Sequence, residues 1–141
     1  MISDNLKLTG NLTIAVNNEI VQETKNLVVT AGKSFVASRM KDTTKAAMTH
    51  MAVGTGTTAA AAGNTTLVTE TDRNALTSTT VTANAIAYVC TWAAGDATAA
   101  LTEAGIFNAS SGGDMLCRTV FSVVNKGASD SMTITWTVTV S

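Results

Sequence analysis

The chain contains no proline, one histidine and only two cysteines, and charged side chains make up 13% of it. Each scarcity excludes something. Without proline, every turn has to be made by Gly, Asn, Asp or Ser. Cys90 and Cys117 are too few for a disulfide scaffold, and both fall in strand-like runs, so they read as buried free thiols acting as small hydrophobes. His50 would have to serve any Ser-His-Asp or Cys-His arrangement, but it sits on a strand-like run with no nucleophile elbow nearby. A zinc site would need His50, Cys90 and Cys117 to converge, and their spacing gives no reason to expect it. The net charge is −1 with nine scattered Lys and Arg, so the basic stripe that displaces counterions from nucleic acid is missing. No apolar run approaches the roughly 18 residues that could cross a bilayer. The opening MISDNLKLTGN lacks the charged and apolar regions of a signal peptide. These absences predict no catalytic, cofactor-binding or metal-binding residues, and neither a nucleic acid nor a membrane as partner.

What is abundant is threonine and alanine, 26 and 22 of the 141 residues. Threonine favours strands because its branched Cβ fits a pleated, half-buried surface. With so little charge, the surface has to be largely neutral hydroxyl and amide. The length predicts one domain spanning 1–141.

Period-2 alternation dominates the chain. Leu6, Leu8, Leu12, Ile14 and Val16 share one face with Gly10 in phase, and Lys7, Thr9, Asn11 and Thr13 take the other. Asn17-Asn18 suits a tight hairpin turn, with Glu19 to Lys25 returning and Asn26 to Val29 continuing or pairing elsewhere. Residues 1–29 thus form an N-terminal hairpin that could serve as an assembly arm. Thr30 looks like an N-cap for one short helix near 31–41, with a polar exit over 41–45. Further strands are expected at Ala47 to Val53, Leu76 to Thr82, and Ile86 to Trp92. Ile106-Phe107 and Met115 to Phe121 flank a hairpin loop at Ser110-Ser111-Gly112-Gly113. The clearest strand is the last, where Met132, Ile134, Trp136, Val138 and Val140 alternate with threonines. The pattern predicts a mainly β protein, an antiparallel β-sandwich of jelly-roll type with one helix.

One stretch invites a sharper reading. Gly54-Thr55-Gly56-Thr57-Thr58-Ala59 has the spacing of a dinucleotide-binding turn, with Glu70 and Asp72 downstream. Such a turn needs a helix to present its amides and a parallel sheet behind it. Here Gly63-Asn64 ends any alanine helix after about one turn, and the downstream runs have period 2. Gly54 to Thr66 therefore reads as a movable surface loop of small residues, or one ordered by another subunit. Glu70 and Asp72 beside Arg73 read as a salt-bridge group rather than an acid–base pair. Asp96, Asp114 and Asp130 sit in turns, where an Asp caps backbone amides, and none has the acid ladder of a calcium loop. Trp92 and Trp136 fall on the apolar phase of their strands and read as core, not sugar-stacking platforms.

Residues 48–141 resemble small structural proteins of tailed bacteriophages, of the head-decoration or tail-fibre-like kind. The matching pieces are HMAVGTGTTAA, TLVTETDR with Leu67, Glu70 and Arg73, LTEAGIFNASSGGDMLCRTVF with Thr102, Glu103, Gly105, Ile106 and Phe107, and SDSMTITWTVTV. The resemblance implies a β-sandwich virion protein without enzymatic residues, a homotrimer whose partner is the major capsid protein or another virion protein. The virion, assembled in the host bacterial cytoplasm, is the implied location. A head cement or decoration role is favoured because no long shaft-forming repeat is present. The alternative is a tail-fibre or baseplate protein with a glycan-binding role. Loop 54–66 and the hairpin tip 110–114 are the segments expected to make the contacts.

Overall fold

The alternation at the end of the chain becomes the strand that organises one half of the molecule. A computed structural model describes residues 6–41 and 45–141. Its elements are β1 (Leu8–Val16), β2 (Glu19–Val28), α1 (Thr30–Arg39), β3 (His50–Gly54), β4 (Glu70–Ala75), β5 (Ser78–Thr82), β6 (Ala85–Trp92), β7 (Ala99–Phe107), β8 (Met115–Lys126) and β9 (Met132–Val140). In β9, Met132, Ile134, Trp136 and Val138 are buried, with β1 and β6 antiparallel on either side. The register sets Leu12 and Tyr88 against Trp136, and Ile14 and Cys90 against Ile134. These rows make the core face. The opposite face carries Thr9, Asn11 and Thr13 of β1, Thr135, Thr137 and Thr139 of β9, and Ala85, Ala87 and Val89 of β6.

Asn17 and Asn18 do form the predicted turn, both at positive φ, 51° and 66°, as a two-residue hairpin of this hand requires. Asn17 also ties that turn to the β8–β9 connection, donating to Asp130 Oδ1 (2.9 Å) and accepting from Ser131 N (3.0 Å). Gly10 leaves room for the Asn26 side chain of β2 to lie over its backbone, and a Cβ there would push that side chain aside.

The nine strands among the described residues join one antiparallel sheet in the order β4-β3-β7-β8-β2-β1-β9-β6-β5. The expected mainly β, antiparallel architecture with one helix is present. The strands are hydrogen-bonded into a single curled sheet, where a sandwich would have two. The two halves meet at β2, which pairs with β1 for most of its length but with β8 only at Leu27↔Arg118 and Val28↔Cys117. Beyond those pairs side chains bridge the gap. Thr119 Oγ1 donates to Lys25 O at 2.9 Å, and the Gln22 amide, in the orientation that satisfies both its oxygen and its nitrogen, exchanges hydrogen bonds with the Ser122 backbone at 2.9 and 3.0 Å. The sheet curls about this seam, so that Met51, Val53 and Ile106 of one half join Ile14, Trp92 and Trp136 of the other in one core. Residues 8–28 of the N-terminal hairpin lie in the middle of this order.

Several local expectations are corrected. The helix begins at Thr30 itself, with Val29 at the N-cap position and no side-chain cap. It packs against β8 so closely that a Cβ on Gly32 would strike the Leu116 backbone. The polar exit proposed for 41–45 lies partly outside the described residues. β3 starts at His50 rather than Ala47, β5 at Ser78 rather than Leu76, and β4 occupies a polar stretch, ETDRNA, that has no alternation to reveal it.

Both tryptophans are fully buried and neither indole N–H has a hydrogen-bond partner. Trp136→Ala is therefore expected to cost on the order of 3–5 kcal/mol through the cavity it leaves. Trp136→Phe should cost much less than the alanine change, because no hydrogen bond is lost with the indole. Thr135→Ala, on the exposed face, should stay within about 0.5 kcal/mol. Denaturant unfolding of the three variants measures the ranking.

Candidate functional site

β3, β7 and β8 lie side by side, and their register gives them two dissimilar faces. Met51, Ile106 and Cys117 align on the core face. On the other face the rows are Gly54 with Glu103, Ala52 with Gly105 and Arg118, and His50 with Phe107 and Met115. β4 extends the second face, setting Glu70 beside Gly54 and Arg73 beside Ala52. Two residues on β4 span one step on β3 at this point, so Thr71 is an unpaired bulge. The bulge lets Glu70 and Arg73, three apart, share a face, which regular alternation would forbid.

This second face is roofed by the segment from Thr55 to Thr69, and a buried ion pair fastens the roof. Glu103 and Arg118 are both fully buried, with 3.0 Å between Arg118 Nη2 and Glu103 Oε1. Glu103 Oε2 accepts from Gly56 N (2.8 Å) and Thr69 N (2.7 Å). Its Oε1 accepts from Val68 N (2.9 Å) and from Arg118 Nε and Nη2 (3.1 and 3.0 Å). Two further Arg118 donors reach the roof, at Asn64 Oδ1 (3.0 Å) and Thr58 O (2.9 Å). Thr102 Oγ1 adds a bond to Gly56 O (2.8 Å), and Thr30 N donates to Ala62 O (2.8 Å). Leu67 descends from the roof into a small cluster with Val29, Ala52, Phe107 and Met115.

The Gly-x-Gly spacing now has its reason. A Cβ on Gly56 would overlap Glu103 Oε2, and one on Gly54 would overlap Thr69 O. The glycines let backbone approach an anion, as in a phosphate-binding turn, but the anion is the protein's own carboxylate. The loop predicted to be movable, or to need a neighbouring subunit, is held by its own chain.

Burial alone would raise the Glu103 pKa. The amides of Thr69 and Val68, the Arg118 guanidinium and the Gly56 amide outweigh it and hold the carboxyl below the usual carboxylate range. With five donors on its two oxygens, Glu103 has no free acceptor site to offer a substrate.

Arg73 makes the second cluster of this face. It lies 3.7 Å over the Phe107 ring, grips Glu70 through Nε and Nη2 (3.1 and 2.7 Å), and donates from Nη1 to Ala109 O and Gly112 O (3.0 and 2.8 Å). It therefore pins the hairpin tip, where Gly112 and Gly113 take positive φ. The salt-bridge reading of Glu70 and Arg73 holds. Asp72 faces away from that pair, accepting from Arg73 N (2.9 Å). Of the turn aspartates, Asp130 caps Gly127 N (2.8 Å), whereas Asp114 is bonded to Asn108 and pairs with Lys45 (3.4 Å).

His50 is half-buried with Thr49 Oγ1 2.7 Å from its Nδ1. It is not brought together with the cysteines into a metal site, and among the described residues no group of three potential ligands is. Cys90 and Cys117 are separate, buried and free. Burial, with the Asp72 charge adding to it, pushes Cys90 up to about 12, and burial raises Cys117 well above the ordinary thiol value. No family model, curated protein or solved structure matches this chain.

Three outcomes are expected. Glu103→Gln leaves a buried guanidinium without its charge partner and should destabilise by about 3–5 kcal/mol. The folded pKa of Glu103 lies below the unfolded value of about 4.3, so its contribution is complete above that pH and is lost as pH falls through the folded pKa. The acid limb of a melting-temperature profile should accordingly be shallower in Glu103→Gln. Because the thiolate is the reactive species, neither cysteine should label with a bulky maleimide at about pH 8 until the chain is unfolded.

Proposed function

We propose that the chain is a structural protein of a tailed-bacteriophage virion, a capsid cement or decoration protein that stabilises the head by binding between capsid subunits. One observation supports this above the others. Three of the four pieces that carry the phage likeness, all but the terminal SDSMTITWTVTV strand, converge on a single face, where Leu67 covers Gly105, Arg73 stacks on Phe107, and Glu103 holds the loop from Gly56 to Thr69. The conspicuous polar residues of these motifs are spent on fixing two surface segments to a sheet. That is the requirement of a building block, which needs shaped and rigid contact tips more than a reactive group. The finer fold belongs to the same proposal: the halves on either side of the β2 seam act as the two layers of a jelly-roll-like sandwich.

In this reading the roof segment 54–66 and the hairpin tip 110–114 present preformed surfaces to the major capsid protein, and the chain works as a closed homotrimer. No catalytic role, metal or cofactor is proposed. Binding would rely on neutral surface and backbone, so added salt should weaken it little. The test is the location and copy number of the protein on purified virions, together with its binding to expanded, undecorated capsids. Many copies spread over the shell, and saturable capsid binding that persists at high salt, are the expected results. A few copies at the tail, with no capsid binding, would replace this reading by the tail-fibre or baseplate alternative.

A further inference from the structure

The sheet ends in two strands, and they are unlike. β4 is guarded: Glu70, Asp72 and Arg73 place charge on it, Thr71 bulges out of its ladder, and Arg73 reaches over to the hairpin carbonyls. Such devices keep an edge from pairing with another chain. β5 has none of them. It reads Ser78-Thr79-Thr80-Val81-Thr82, every residue exposed, with no charge, proline or bulge in its regular register with β6. Val81 is 70% exposed, and threonine and valine are strong strand formers.

We propose that β5 pairs antiparallel with β5 of a second copy, about a two-fold axis at Thr80. In that register Thr80 faces Thr80, Ser78 faces Thr82, and Thr79 faces Val81. No like charges meet. The two faces of the sheet also continue unbroken. Ser78, Thr80 and Thr82 align with Val89, Ala87 and Ala85, and through them with Thr135, Thr137 and Thr139. Thr79 and Val81 align with Tyr88 and Ile86 on the core side, where Val81 and Phe35 line an apolar cavity of about 290 Å³. A one-residue slip would set the hydroxyl face of one copy against the apolar side of the other, so the pattern selects the register.

The second copy is favoured over open-ended growth because only one edge is bare. Pairing of β5 with β4 of another copy would repeat head to tail, and the charges and bulge of β4 oppose it. Pairing of β5 with itself consumes the bare edge on both copies and closes. This contact goes beyond the virion reading and does not rest on it.

Sedimentation of the full chain tests the contact. Thr80→Lys puts two ammonium groups on the axis and should halve the particle mass, whether from dimer to monomer or from a dimer of trimers to a trimer. Its circular dichroism should match the parent, since Thr80 is exposed and the fold of each chain is kept. Thr80→Cys should form a disulfide-linked pair of chains under mild oxidation, because facing residues of an antiparallel pair have Cα atoms about 4.5–5.5 Å apart. Thr71→Cys, on the guarded edge, should not. A parent whose mass Thr80→Lys leaves unchanged, a monomer or lone trimer included, overturns the proposal, as does Thr80→Cys without the linked species. Either result leaves capsid binding free to succeed or fail separately.

Discussion

A carboxylate and a guanidinium buried together hold the outer layer of this fold. The roof over β3, β7 and β8 is made of Gly, Thr, Ala and Asn, which have little apolar surface to bury, and Leu67 is its one large anchor. Ordering such a segment costs roughly 1–2 kcal/mol per residue in backbone freedom. Glu103 and Arg118 offset this by gathering roof amides and carbonyls from Gly56, Thr58, Asn64, Val68 and Thr69 onto one pair of charges. A pair of hydrophobic side chains could fill the same space, and buried ion pairs often gain little over such replacements. They could not orient the backbone. The role of the pair in this chain is to set where the roof lies, and the two glycines exist to let it come close.

How much of this the sequence discloses depends on how many faces of a strand are solvated. β1, β6 and β9 have one buried face and one of small or polar residues, so period 2 is plain and their core residues are legible. β7 is buried at every position from Leu101 to Phe107 because the roof covers its second face. Its pattern therefore looks continuous, and only Ile106-Phe107 stood out. β4 is an edge strand shaped by charge and a bulge, and hydrophobic pattern is silent about it. The single curled sheet is equally hidden. Alternation says which residues face inward but not which strands are neighbours, and the partner change at Leu27 and Val28 leaves no local mark.

A usable signal for the ion pair was nevertheless present. LTEAGIF and MLCRTVF are apolar runs, each interrupted by one charge, and the two charges have opposite signs. An ionised group inside a strand that is otherwise core has to be paired, because its desolvation is too costly alone. Reading Glu103 and Arg118 as partners would have set β7 beside β8, and would have supplied the anion that the Gly54–Gly56 spacing requires. The spacing was correctly a backbone cradle for negative charge. What distinguished an internal carboxylate from a nucleotide phosphate was the absence of a following helix and of any parallel strand, not the glycines themselves.

The two halves of the molecule are thereby left with opposite surface characters. The half bearing the ion pair has its sheet face covered by the roof, its edge charged and its hairpin tip pinned by Arg73, so what it shows to the outside is a fixed roof and tip rather than bare sheet. The other half leaves its threonine face uncovered and its edge strand unguarded. On that face the hydroxyls satisfy one another where they can, as Thr91 Oγ1 and Thr133 Oγ1 do at 3.0 Å. A neutral hydroxyl surface holds no charge to repel an identical copy and little apolar area to drive indiscriminate association. Specificity on such a surface has to come from geometry, through strand register and the alternation of faces. The bare edge of β5 is where that geometry can be read by another chain.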